Sequence, residues 1–148
     1  MLYYLDSSAL VKLYIREVGT DKMLEMAGRK SGHQLTVLAL AQVEIRSAFR
    51  KRQRAGDIGN RLAEELRAAF QRHSESRFVR QPLTDTVLDL ACELLDRHKL
   101  TSFDAVQLAG YFAVKAATGA VPVLVSADQD MLLAARAENI PVLDPSMP

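Results

Sequence analysis

Short apolar runs alternating with helical patterning constrain this chain more than any other feature. Leu2 to Leu5, His33 to Thr36, Phe78 to Pro82, Val121 to Val125 and Pro141 to Leu143 read as strands. The intervals between them carry helix periodicity over 8–16, 20–29, about 38–54, 57–73, 84–98, 101–118 and 128–138. Strands separated by helices imply a parallel sheet, because parallel neighbours need long crossover connections. The expected fold is therefore α/β, a three-layer α/β/α sandwich with a central parallel sheet. One domain spans 1–148, with a helical hairpin at about 38–74.

The punctuation agrees with this layout. Ser7 or Ser8 would cap the first helix, Thr84 the helix that runs to His98, and Thr101 or Ser102 the helix that runs to Thr118. Gly19 marks a turn, Gly28 or Gly32 ends the second helix, and Gly56 and Gly59 sit at the tip of the hairpin. Asn139 suits the left-handed position after the last helix.

Composition excludes several classes. With 49% hydrophobic and 25% charged residues the chain is globular rather than disordered or fibrous. A single cysteine, Cys92, rules out an internal disulfide and reads as a small core residue. No Cys/His cluster has zinc spacing, and the N-terminal apolar run is too short for a signal peptide or a membrane span, so a cytoplasmic protein is expected. His33, His73 and His98 stand near a turn or at helix ends and are assigned no chemistry. Charge is uneven: residues 46–80 hold ten Lys/Arg against four acids, a local +6 within a chain of net +1. That leaves a basic arm beside a more acidic remainder.

Four acids stand out. Asp6 lies at the carboxyl end of the first strand, the edge where open α/β sheets bind ligands, although it would serve equally well as a helix cap. Glu44 falls on the apolar side of its helix, beside Val37, Leu40, Ala41 and Ala48, where it needs a cation, a metal or a salt-bridging arginine. Asp104 is the third residue of a capping box opened by Thr101, a sufficient structural role. Yet the apolar helix that it opens should be central and point at the same edge. Asp128 follows the strongest strand through Ser126; between Asp128 and Asp130, the purely structural part is assigned to Asp130. Four carboxylates at one edge repel unless a divalent cation neutralises them. Oxygen donors without His or Cys select Mg2+ or Mn2+, which leave room for phosphate oxygens and suit phosphodiester hydrolysis.

The ordered set Leu5-Asp6-Ser7-Ser8-Ala9-Leu10-Val11-Lys12-Leu13-Tyr14, Val43-Glu44, Ser102-Phe103-Asp104-Ala105-Val106-Gln107-Leu108-Ala109 and Val125-Ser126-Ala127-Asp128 resembles the PIN-domain ribonucleases, and among them the VapC-type toxins of toxin–antitoxin pairs. The resemblance covers essentially the whole chain. It implies a PIN-like fold and a Mg2+- or Mn2+-dependent endoribonuclease acting on tRNA, rRNA or mRNA. Asp6 and Asp104 become the main metal ligands, Glu44 and Asp128 complete the pocket, and Ser7 or Ser126 orients a ligand or the phosphate. It also implies a small antitoxin partner that covers the acidic groove, a homodimer, and a role for the basic hairpin in holding RNA. Two other readings stand beside it: a non-catalytic PIN-like module that binds RNA or protein, and a free-standing RNA-processing nuclease. A haloacid dehalogenase-type phosphatase is disfavoured because no second acid stands two residues after Asp6.

Overall fold

The computed structural model describes residues 1–148. In chain order its elements are β1 (Leu2–Leu5), α1 (Ser7–Leu10), α2 (Thr20–Ala27), β2 (Gln34–Leu38), α3 (Ala41–Arg54), α4 (Asn60–Ser76), β3 (Phe78–Gln81), α5 (Asp85–Arg97), α6 (Ser102–Thr118), β4 (Val123–Val125), α7 (Gln129–Ala137) and β5 (Val142–Leu143). The strands form one sheet in the order β3-β2-β1-β4-β5, and every neighbouring pair is parallel. No helix is long and apolar enough to cross a membrane.

Alternating side chains of the central strand β1 divide the core in two. Tyr3 and Leu5 face one side, with Leu35, Val37 and Val125, and are covered by Ala9 and Leu10 of α1, Met23 and Met26 of α2, Ile45 and Phe49 of α3 and Phe70 of α4. Tyr4 faces the other, with Leu38 and Leu124, under Val87, Ala91 and Leu94 of α5, Leu108 and Tyr111 of α6 and Met131 and Ala135 of α7. Three layers result, as the alternation of elements required.

The strand order places the site. From β1 the chain moves one way to β2 and β3, then returns to add β4 on the other flank of β1. The carboxyl ends of β1 and β4 thus border the crevice where strand order reverses, the place where ligands enter such sheets. Asp6 extends the β1–β4 ladder by one more bond, its backbone N–H donating to the Val125 carbonyl at 3.1 Å.

Several expectations need correction. The first helix does not run over 8–16; α1 ends at Leu10 and a 3-10 turn follows over Val11–Leu13. Lys12 is buried there with its ammonium 3.1 Å from Glu17, which draws the chain back on itself. Helix α3 starts at Ala41, because Leu38 is claimed by the sheet opposite Gln81 and Ala39 N–H also donates to the Gln81 carbonyl at 2.8 Å. The hairpin is therefore α3 and α4, with Gly56 in the left-handed region (φ 82°) at its tip. Thr84, Thr101 and Asn139 (φ 59°) take the expected terminal positions.

Cys92 is exposed and not a core residue. Helix α5 buries Val87, Ala91 and Leu94, and Cys92 lies one step around the helix from Ala91, on the outer side with Leu88 and Leu95. In the native protein Cys92 should react completely with a thiol-specific chromogenic reagent without denaturant. A reaction that requires unfolding would contradict the packing of α5.

Candidate metal centre

Asp6 is 2% exposed and caps α1, its Oδ1 accepting the Ala9 N–H at 3.0 Å. The cap thus belongs to Asp6 and not, as the sequence suggested, to Ser7 or Ser8. The serines instead hold carboxylates. Ser8 Oγ donates to Asp6 Oδ1 at 2.7 Å, and Ser126 Oγ, arriving from the end of β4, donates to Asp6 Oδ2 at 2.5 Å. Burial pushes the Asp6 carboxyl up from its ordinary 3.8 to about 6; the Ser126, Ser8 and Ala9 donors pull it back, and Asp104 adds to the rise.

Glu44 is half-buried near the start of α3. Its Oε1 accepts from Ser7 Oγ at 2.8 Å and from Gln107 Nε2 at 2.6 Å, while Oε2 has no protein donor. An arginine partner is not what holds it; both donors are neutral.

Asp104 stands at the third position of α6, its N–H donating to the capping Thr101 Oγ1 at 3.2 Å. Burial raises its carboxyl, Asp128 raises it further, the Thr101 hydroxyl holds it partly back, and Glu44 and Asp130 add smaller contributions. Asp128 caps α7 through Oδ1, which accepts the Met131 N–H at 2.9 Å, and its own N–H donates to Ser126 Oγ at 3.1 Å. The structural task assigned to Asp130 is therefore performed by Asp128; Asp130 sits in the first turn, 3.9 Å from Lys99 Nζ. Asp128 Oδ2 receives no donor.

The four acids sense one another. Asp104 raises the Asp6 carboxyl, Asp128 and Glu44 raise that of Asp104, and the buried Tyr4 phenol is pushed up first by burial and then by Asp6 and Glu44. None of the four lies in an ion pair with a lysine, arginine or histidine. Carboxylates with no cationic partner, of which Glu44 and Asp128 each keep an oxygen without a protein donor, are the donor chemistry of a hard divalent cation. No three Asp, Glu, His or Cys side chains close around a single ion-sized point. The set is open, in keeping with Mg2+, which keeps several waters and takes few carboxylates. The donor set fits Mg2+ or Mn2+.

The sequence missed Gln107, Ser8 and Tyr4 at this site. Gln107 had a readable signal, being the one polar side chain in an otherwise apolar stretch of α6 and three residues after Asp104, hence on the same side of the helix. In the basic hairpin, Arg52 pairs with Glu17 and Asp57, Arg61 with Glu65 and Arg67 with Glu64, whereas Arg46, Lys51, Arg54 and Arg72 make no ion pair.

The Asp6 shift has a consequence for stability. A carboxyl that ionises near 6 when folded and near 3.8 when unfolded leaves the folded state holding more protons between those values. Metal-free protein should therefore lose stability as pH rises from about 4 to about 6, by up to about 3 kcal/mol from this group. In EDTA, Asp6→Asn should gain on the wild type over that window and hold its advantage above it, measured by denaturant unfolding across pH. A stability difference independent of pH would contradict the burial of an ionised Asp6.

The PIN domain family model matches residues 3–137. No curated protein sequence matches the chain significantly. Among solved structures, VapC20 of Mycobacterium tuberculosis, described as a sarcin–ricin-loop-cleaving toxin, superposes with a TM-score of 0.63 at 19% identity, over 90% of this chain and 95% of its own. VapBC2 of Rickettsia felis, bound to a fragment of promoter DNA, gives a TM-score of 0.64 at 13% identity, over 97% and 98%. FitAcB of Neisseria gonorrhoeae gives 0.62 at 12% identity, over 98% of both chains. These likenesses establish a shared fold, and the family match over most of the sequence, together with the four acids at the switch point, assigns the chain to the PIN-domain family.

Proposed function

We propose that this protein is a Mg2+- or Mn2+-dependent endoribonuclease of the VapC type, the toxin of a toxin–antitoxin pair working in the cytoplasm. The observation that carries the reading is the group of four mutually repelling carboxylates at the sheet's switch point with no cationic side chain to neutralise them. Family membership and the toxins among the similar structures support it.

Asp6 and Asp104 are the residues that would hold the cation, with Glu44 and Asp128 completing its surroundings. When bound, the ion supplies positive charge that offsets the carboxylates, attracts a phosphodiester oxygen and acidifies water. The protein's part is orientation and proton transfer. Ser8 and Ser126 fix both oxygens of Asp6, and Ser7 fixes one oxygen of Glu44. Glu44 Oε2 and Asp128 Oδ2, free of protein donors, are the groups that would accept the proton of a water attacking phosphorus in line with the departing ribose oxygen. Arg46, Lys51 and Arg54 of α3 supply cations for flanking phosphates, which makes RNA binding salt-dependent. The natural inhibitor fitting such a site is a small antitoxin offering a basic side chain to the acidic groove, and the active form is a homodimer.

With a structured RNA substrate and Mn2+ or Mg2+, the wild type should cleave and EDTA should abolish cleavage. Asp6→Asn and Asp104→Asn should each lower the rate by more than about 100-fold, beyond what loss of a ligand-orienting partner costs. Cleavage by Asp6→Asn at the wild-type rate would sink this reading. Cleavage without growth arrest on expression would leave a free-standing nuclease.

A further inference from the structure

Gln107 is 1% exposed, lies on the central helix α6 and makes polar contacts with three different elements. Its Nε2 donates to Glu44 Oε1 at 2.6 Å and reaches Ser7 Oγ at 3.3 Å. Tyr4 OH donates at 2.6 Å to the Gln107 backbone carbonyl and lies 3.0 Å from its Oε1. The amide orientation is set at the Glu44 end, where a carboxylate only accepts and so faces the NH2 group; the single Tyr4 O–H proton goes to the Gln107 backbone carbonyl, the shorter of its two contacts, and anchors the residue there. An ionised carboxylate or an apolar side chain of this size could not donate to Glu44.

The phenol is itself held in place. Tyr4 is fully buried, its ring edge-on to Tyr111, and its hydroxyl occupies the space beside Gly110, where a Cβ would collide with that hydroxyl and lie 3.0 Å from Leu38. Glycine inside a helix is unfavourable, so its presence in the middle of α6 has a packing cause here: it admits the Tyr4 hydroxyl against the helix backbone. A continuous chain of contacts therefore runs from Gly110 through Tyr4 and Gln107 to Glu44.

We infer that Gln107, locked by Tyr4 in the Gly110 notch, is the positioning residue that pins Glu44 Oε1 and presents Oε2 to the metal and its water. The inference rests on the metal-centre reading above. Glu44 stands on a long side chain at the start of α3 and has no other donors than Ser7 and Gln107. Without the amide, Ser7 alone holds Oε1, and the carboxylate can turn away from its acidic neighbours, as repulsion favours. The Gln107 amide holds it among them.

The test is a Mn2+ titration, followed by electron paramagnetic resonance of the free ion, on wild type, Asp6→Asn, Gln107→Leu, Tyr4→Phe, Glu44→Gln and the double variant Glu44→Gln/Gln107→Leu. Gln107→Leu should weaken Mn2+ binding by about 10- to 100-fold, the range for lost support of a metal ligand. Tyr4→Phe, which keeps the ring packing, should act in the same direction more weakly. In the Glu44→Gln background Gln107→Leu should add nothing, because its effect passes through Glu44. Wild-type affinity in Gln107→Leu, or an equal loss with and without Glu44, overturns the inference while leaving the metal centre standing. Absence of any Asp6-dependent Mn2+ site in the wild type overturns both.

Discussion

Everything at this site depends on a carboxylate that the fold buries where burial is least favourable. Asp6 continues the central strand, caps the helix that leaves it, and is shut from solvent beneath Ser8 and Ser126. The three donors offset much of the cost of removing the charge from water, but not all of it, and its ionisation moves up to about 6. Replacement by an apolar residue would forfeit the cap and orphan two hydroxyls. An ionised Asp6 with Asp104 nearby leaves the crevice with negative charge that no lysine, arginine or histidine of this chain pairs.

The same residues serve structure and the proposed chemistry. Asp6 and Asp128 are helix caps and candidate ligands at once, each giving Oδ1 to a backbone N–H; Asp128 Oδ2 has no protein donor, whereas Asp6 Oδ2 accepts the Ser126 hydroxyl. Thr101 caps α6 by accepting the Asp104 N–H and so fixes the first turn from which that carboxylate projects, whereas Ser8 donates to the Asp6 carboxylate itself. Using the caps of α1, α6 and α7 as anchors means that the acids sit on helix starts defined by backbone hydrogen bonds. Glu44, the one acid without such an anchor, is held by side chains alone, which is why Gln107 carries so much of its placement.

The layer architecture was legible because strand and helix periods alternate cleanly along the chain; the four acids drew notice because Asp6 and Asp128 follow strands, Glu44 lies on an apolar helix side and Asp104 opens an apolar helix. Element ends were not legible where tertiary contacts decide them: sheet pairing of Leu38 with Gln81 overrode helix periodicity, and the Lys12–Glu17 pair broke the first helix. The exposure of Cys92 was hidden because Leu88 and Leu95, equally apolar, share the outer side of α5 and blur its buried stripe. Which hydroxyl serves which acid could not be read at all. Ser7 and Glu44 are 37 positions apart, Gln107 and Glu44 63, and Ser126 and Asp6 120, so only the strand order decides that they meet.

The most direct measurement is a crystal structure of the protein with Mn2+, its position located by anomalous scattering. One manganese peak should lie in the crevice between the ends of β1 and β4, coordinated by carboxylate oxygens of Asp6 and Asp104. Manganese bound only elsewhere, or a crevice whose carboxylates are instead neutralised by a lysine or arginine, would contradict the central role given to these acids.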